Sequence, residues 1–372
     1  MHKKILIIEN SLYFTGGLKA ILSIADLLRS EFEFHFIIPA KSKIGMEITE
    51  KGFKVVRLPF LEINKSFNTL IYLPRLYRNA RKVQKYMKKE SITVLHVNDV
   101  FNMVGCMVKR FEPGIHLVYH VRLLKDSYIA PLYLFFLRWV KKYASYILCV
   151  SEAVRKDIGY PFNSVVMYEN PVKEELYEAW NGLKEPGSLR ILYLANYVRG
   201  KGQEYGLRAF IEVHKKYPLT TLVFAGDITG PASEKYKQSL VSEAEKAGVA
   251  SNVIFNGKVT DVEKEMKYCD VVLNLSESES FSFVCLEAML YGVPLIAADS
   301  GGPAELTAKG DKAFLVSKKD HTAASNALLY LIQHPKEVKE RATIARKWAI
   351  KKFDMTYSKA ILSRVYANTF IQ

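Results

Sequence analysis

Short apolar runs alternate with amphipathic stretches along all 372 residues, and each pairing predicts a strand followed by a helix. Lys3 to Ile8 reads as a first strand, and Leu18, Ile21, Leu22, Ala25 and Leu28 then recur at helical spacing. Glu9 to Gly17 falls between them as a loop that carries Gly16 and Gly17. Phe34 to Ile38, Val55 to Leu58, Val94 to Val97, Leu117 to Val121 and Ile147 to Ser151 continue the series of strands. Glu174 to Ser188 contains Asn181-Gly182 and Pro186-Gly187, a hinge or linker composition. A fresh set begins at Leu189, with strands near 189–194, 221–225, 253–255, 271–275, 295–298 and 313–316. Helices follow from His321 to about Lys352, anchored by Trp348 and Phe353, and a last helix starts near Thr356. Alternating strands and helices predict an α/β fold of two domains, each large enough for its own core.

Two stretches in the first half invite a different use. Leu70 to Lys89 places apolar residues at 73, 76, 80, 83 and 87 and basic ones at 75, 78, 81, 82, 85, 88 and 89, with Pro74 at its start. It is a basic amphipathic helix with Tyr72, Tyr77 and Tyr86 near its polar boundary, suited either to packing by one face or to lying on a membrane. Tyr128 to Tyr143 has an apolar part too short to span a bilayer, so core packing is the first expectation and a lipid-facing aromatic surface the second.

Charge sharpens this reading. Residues 1–180 carry 27 Lys+Arg against 17 Asp+Glu, a net of +10 out of +15 for the chain. Such asymmetry suits an anionic membrane surface, a phosphorylated substrate or a nucleic acid. No helix-turn-helix, zinc-finger or aromatic RNA-binding motif accompanies it, so no nucleic acid is expected. The four cysteines, at 106, 149, 269 and 285, sit in apolar contexts without disulfide or metal spacing and read as buried thiols of a cytoplasmic protein.

The densest chemistry lies in Ser276 to Glu305. A polar turn with Glu279 and Ser280 precedes a short helix from about Phe283 to Leu290, ended by Gly292 and Pro294. The amides of Phe281, Ser282 and Phe283 lie where that helix begins, and such donors suit a phosphate. Glu279 and Glu287, eight apart, can reach different parts of one extended ligand. Plain capping and solvation of the helix start is the other use of Glu279 and Ser280. Gly16-Gly17 lacks the G-x-G-x-x-G spacing, which excludes a dinucleotide fingerprint and leaves either a close ligand approach or an ordinary tight turn.

Ser276, Glu279, Phe281, Glu287, Ala288, Met289, Gly292, Pro294, Gly301, Gly302 and Glu305 together resemble the donor-binding core of retaining glycosyltransferases of family 4, which have the GT-B fold. Ser280 stands where that family usually has glycine. The segment Asn196 to Gly202 is similar to the family's arginine-bearing loop: Lys201 and Gly202 match, but Asn196 replaces the arginine, and Arg199 is the candidate substitute.

The resemblance implies two Rossmann-like domains facing across a cleft. It places an acceptor-side domain at 1–175, a linker at 176–188, a nucleotide-sugar domain at 189–352 and a final helix over 353–372 that crosses back. It implies transfer from a nucleoside-diphosphate sugar to a hydroxyl of a glycan or lipid-linked acceptor, with retention, on the cytoplasmic membrane face. A soluble acceptor is the alternative.

In that scheme Glu287 binds ribose, Glu279 and the amides of Phe281 to Phe283 orient the sugar, and Lys201 stabilises the leaving diphosphate with help from Arg199 or Gly17. His120 borders the anomeric carbon, or else is a structural histidine. Gly16 and Gly17 approach the donor phosphates, and Gly226 stands at the cleft rim. Neither a metal nor any other cofactor is expected.

Overall fold

The computed structural model describes residues 2–60, 69–127, 130–170, 180, 182–183 and 187–369. The expected linker at 176–188 lies largely outside them, as does Tyr128. The chain forms two compact units, one of Met1–Pro171 with Met355–Gln372 and the other of Val172–Asp354.

The first unit runs β1 (Lys3–Ile8), α1 (Gly16–Leu27), β2 (Phe32–Pro39), α2 (Gly45–Glu50), β3 (Lys54–Leu58), α3 (Thr69–Glu90) and β4 (Val94–Val97). It continues with α4 (Val104–Phe111), β5 (His116–Val121), α5 (Ala130–Tyr143), β6 (Tyr146–Cys149), α6 (Glu152–Asp157) and β7 (Ser164–Val166). The strands make one parallel sheet in the order β3-β2-β1-β4-β5-β6-β7. Ile5, Leu6 and Ile7 at its centre are fully buried, because helices cover both faces of a parallel sheet and its inner strands become continuous apolar runs. The strand order reverses between β1 and β4, and such a reversal opens a crevice at the carboxyl ends of the two strands.

The second unit runs β8 (Arg190–Leu194), α7 (Gln203–His214), β9 (Thr221–Ala225), α8 (Pro231–Lys246), β10 (Val253–Asn256), α9 (Val262–Tyr268) and β11 (Val271–Asn274). After these come α10 (Phe283–Leu290), β12 (Leu295–Ala298), α11 (Gly302–Leu306), β13 (Phe314–Val316), α12 (His321–Gln333) and α13 (Pro335–Lys352). Its parallel sheet has the order β10-β9-β8-β11-β12-β13, with the reversal between β8 and β11. The last helix, α14 (Met355–Ala367), belongs to the first unit. There Tyr366 is buried, its hydroxyl 2.6 Å from His96 Nδ1 and its ring edge-on to Phe32 and Phe34.

Two local expectations change. Gly16 and Gly17 are not in a loop but form the first turn of α1, because Thr15 caps the helix through its hydroxyl to the Leu18 amide. Pro74 lies inside α3 rather than at its start.

The apolar stripe of α3 is used internally: Leu76, Ala80, Val83 and Met87 are buried. Tyr86 is hydrogen-bonded to the buried His35 at 2.8 Å, and Tyr77 packs on Phe111. Tyr86 is therefore tied to the fold, whereas Tyr77 stays 47% exposed. Among the described residues no helix is long and apolar enough to cross a membrane.

Candidate functional site

Two loops leave the sheet at the β8–β11 reversal, and the candidate donor-binding residues gather on them. The loop after β8 carries Asn196, Arg199 and Lys201; the loop after β11 carries Glu279. The Tyr193 hydroxyl stitches them together, donating to the Lys201 carbonyl at 2.7 Å and accepting from the Leu275 amide at 2.9 Å. The Glu277 amide adds a bond to the Gly200 carbonyl at 2.9 Å. Gly202 is needed here. It has φ +76°, and a β-carbon on it would collide with the Leu275 carbonyl oxygen.

So held, Lys201 Nζ donates to Glu279 Oε2 at 2.9 Å. The lysine side chain is 37% exposed and the carboxylate 17%, leaving both within reach of a ligand. Glu279 is itself fixed through its backbone: its amide donates to the Ser300 carbonyl at 3.0 Å and its carbonyl accepts from Gly302 at 2.7 Å. A side chain on Gly302 would strike the Phe281 backbone, so the Gly301-Gly302 turn and the Glu279 loop require each other.

Helix α10 starts at the same place. Ser282 is its N-cap in an uncommon left-handed conformation, φ +81°, and its hydroxyl accepts from the Cys285 amide. Asn274, at the end of β11, donates to that hydroxyl at 3.0 Å and fixes the cap against the sheet. The amides ahead of Cys285 in this first turn have no partner within the helix, which makes its start a natural seat for negative charge. Phe281 turns inward onto Phe283 and Phe353. Glu287 lies in the second turn of α10 and is buried, 5% exposed.

The arginine missing at position 196 is not simply replaced. Asn196 Oδ1 accepts from the Asp227 amide at 3.0 Å, which ties it to the loop after β9. In that same loop the Gly226 amide donates to the Gly257 carbonyl at 3.1 Å. Arg199 stacks over the Tyr236 ring at 5.2 Å, and the Tyr236 hydroxyl bonds to Glu204. The fixed cation of the loop is therefore Lys201, with Arg199 held to one side.

In the first unit the predicted residues surround an unexpected network at the β1–β4 reversal. Arg122 makes two bonds to Glu169, at 2.5 and 2.8 Å, and donates through Nε to Asn98 at 2.7 Å. Asn98 also bonds to Glu9, which receives the Ser11 hydroxyl as well. Arg122 packs on Gly17, where a β-carbon would sit 3.1 Å from its Cδ.

His120 is fully buried behind this arginine, with Nδ1 3.2 Å from Arg122 Nη2 and Nε2 3.9 Å from Glu169 Oε1. Burial, then Arg122 and His96, hold its pKa well below the usual histidine value, so the imidazole is neutral. In this conformation it touches Arg122, not the surface of the unit. Burial also raises the Glu169 carboxyl, against the pull of Arg122.

Glu9, Asn98 and Glu169 had no signal in the sequence beyond polar residues at strand ends; Glu169 is 47 residues from the arginine it holds. Among the described residues no group of three His, Cys, Asp or Glu is placed to hold a metal ion.

The family model for glycosyl transferases group 1 matches residues 178–348, and that for a glycosyl transferase 4-like domain matches residues 15–170. A trehalose synthase of Pyrococcus horikoshii is 24% identical over 378 residues, covering 93% of this chain and 86% of that protein. A GDP-mannose-dependent alpha-(1-6)-phosphatidylinositol monomannoside mannosyltransferase of Mycolicibacterium smegmatis is 28% identical over 169 residues, 43% of this chain and 43% of its own length. The structure of Anabaena HepE in complex with UDP and glucose superposes with a TM-score of 0.83 at 20% identity, over 98% of this chain and all of that one. At that identity the likeness is one of fold.

Proposed function

Since the chain belongs to the glycosyl transferases of group 1 and has the paired Rossmann-like sheets of the GT-B fold, we propose that it transfers a sugar from a nucleoside-diphosphate sugar to a hydroxyl of a glycan or lipid-linked glycan. The configuration at the anomeric carbon is retained. The observation that carries this reading is the Lys201–Glu279 pair at the β8–β11 reversal, beside the start of α10.

Each group has a role set by its chemistry. Lys201 meets the diphosphate and stabilises the charge that grows on it as the bond to the anomeric carbon breaks. The amides at Phe281, Ser282 and Phe283 add donors to the same oxyanions. Glu279 releases Lys201 to the phosphates and accepts hydrogen bonds from sugar hydroxyls. Glu287 accepts from the ribose, and Arg199 swings off Tyr236 to add positive charge. Asn196 and Gly226 shape the rim. The charge is met without a resident metal or other cofactor. In the first unit, Gly16 and Gly17 present the α1 start, with Arg122 packed on it. His120, neutral and behind Arg122, reaches a sugar only if that arginine moves.

The relatives support a sugar-nucleotide donor, one named for GDP-mannose and one structural neighbour holding UDP with glucose. An acceptor carried on lipid agrees with the basic first half and places the protein at the cytoplasmic face of the membrane, in the synthesis of a cell-surface polysaccharide. The test is a screen of UDP-, GDP- and ADP-sugars with membrane-extracted acceptors, followed by NMR of the product linkage. Transfer that conserves the anomeric configuration supports the reading. An inverted product removes the retaining mechanism, and no transfer from any activated sugar removes the function.

A further inference from the structure

Helix α5 divides its apolar residues between two faces. Tyr133, Phe136, Leu137 and Val140 are buried in the first unit, at the spacing of one helical stripe. Leu134 and Phe135 are instead 60% and 52% exposed. Arg138, Lys141 and Lys142 share that outer surface. Trp139 stacks on Tyr143 at 5.5 Å beside them and lies next to Phe135. No acidic residue occurs between Ala130 and Tyr143.

The turn between α6 and β7 extends the patch. Gly159 lies by Lys141, and the next residues present Tyr160, 54% exposed, and Phe162, 86% exposed. The acids nearby are already matched, Glu152 by Arg155 at 3.5 Å and Asp157 by Lys125 at 3.4 Å.

We propose that the outer face of α5, continued by the Tyr160–Phe162 turn, docks on an anionic lipid bilayer. Exposed Leu and Phe enter the acyl boundary, Trp139 and Tyr143 sit at headgroup depth, and the three cations meet lipid phosphates, the composition of an interfacial helix. A protein partner of complementary charge fits less well, because six exposed or half-exposed apolar and aromatic side chains lie among cations rather than around a concave pocket. Helix α3 is more basic, but its stripe is spent on the core, so it contributes only long-range attraction. Its exposed Ile71, Leu73 and Tyr77 lie in its first turns, ahead of most of that charge. The proposal rests on the transferase reading only for why a lipid surface matters; vesicle binding is read without donor or acceptor.

The experiment is flotation of the full chain with phosphatidylcholine vesicles, with and without phosphatidylglycerol. Three variants are compared with the parent: Phe135→Ser with Phe162→Ser; Arg138→Gln with Lys141→Gln and Lys142→Gln; and, on α3, Lys82→Gln with Lys85→Gln. All change exposed residues, so thermal unfolding midpoints stay at the parent value. The parent floats with anionic vesicles. The α5 charge variant loses roughly 100-fold in vesicle affinity, about fivefold for each of the three cations removed. The aromatic variant loses the part of binding that survives high salt, and the α3 variant loses less than the α5 one. Sugar-nucleotide binding is unchanged in all three, which keeps this test separate from that of the donor site. A parent that binds neither vesicle overturns the proposal, and so do α5 variants that float like the parent. Self-association of the parent that the α5 variants abolish also overturns it, by making this face a contact between copies.

Discussion

The Lys201–Glu279 pair makes opposite predictions for its two members. With no ligand, the lysine is held by a carboxylate at 2.9 Å, and a diphosphate must compete for it. Two unit charges at that separation interact by about 1.4 kcal/mol in a water-like medium. With the side chains 37% and 17% exposed, the usable part is about 1 kcal/mol or less. Replacing Glu279 by Gln removes this competitor and the negative charge beside the phosphates. Affinity for the nucleoside diphosphate alone then stays level or rises, up to about fivefold. Replacing Lys201 by Ala lowers it by roughly tenfold or more. Transfer falls in both, by roughly 100-fold or more, because Glu279→Gln weakens the hold on the sugar and Lys201→Ala removes a cation that acts on the leaving group. The assay is calorimetric titration with UDP, GDP and ADP, paired with transfer rates. If Glu279→Gln weakens nucleotide binding as strongly as Lys201→Ala, the carboxylate is not a competitor and the pair has another purpose.

Other consequences follow from the same contacts. Gly202→Ala forces a β-carbon onto the Leu275 carbonyl at φ +76°, so it should destabilise the second unit by about 2 kcal/mol or more and cost nucleotide affinity by moving Lys201; parent-like binding and melting would contradict this. Arg122→Met strands the Glu169 carboxylate, only 2% exposed, and should cost about 3–5 kcal/mol in urea unfolding followed in the first unit, much of it recovered by adding Glu169→Leu. A loss within about 1 kcal/mol would mean that the network is solvated. Stability should also fall as pH drops from neutral to about 5. His96 is pushed down to about 3 and His120 well below its usual value, chiefly by burial. Their stabilisation is full above the unfolded value of about 6.5 and is lost as pH falls toward the folded pKa; for His96 alone this is about 2 kcal/mol by pH 5. Glu169, whose pKa is raised, works in the opposite sense, contributing at low pH and losing that contribution as pH rises, and offsets part of the histidine loss; a net fall in stability is expected, and a flat profile would refute the burial of neutral imidazoles.

The strands of the second half were legible because parallel strands buried on both faces leave unbroken apolar runs. Leu222 to Ala225 and Leu295 to Ala298 stand out between glycines, prolines and polar turns. Helix α10 was legible for the same reason, bounded by Ser282 and by Gly292 and Pro294. Long-range pairings were not. Nothing local says that Arg122 is held by Glu169, or that Arg199 rests on Tyr236, since those contacts exist only once the sheets are assembled. The α1 start was misplaced because two glycines suggest a loop, whereas the Thr15 cap draws them into the helix. Helix α3 has the composition of a membrane-surface helix, yet its Leu76, Val83 and Met87 face the core. Periodicity identifies an apolar face without identifying what covers it.

The claim on which the rest depends is that an activated sugar binds by its diphosphate at Lys201, between the loop after β8 and the start of α10. A crystal structure with a nucleoside diphosphate bound tests it most directly. The account predicts phosphate oxygens at roughly 3 Å, hydrogen-bonding distance, from Lys201 Nζ and from amides at the α10 start, with the Lys201–Glu279 contact opened. A diphosphate bound elsewhere, with that ion pair intact, would contradict it.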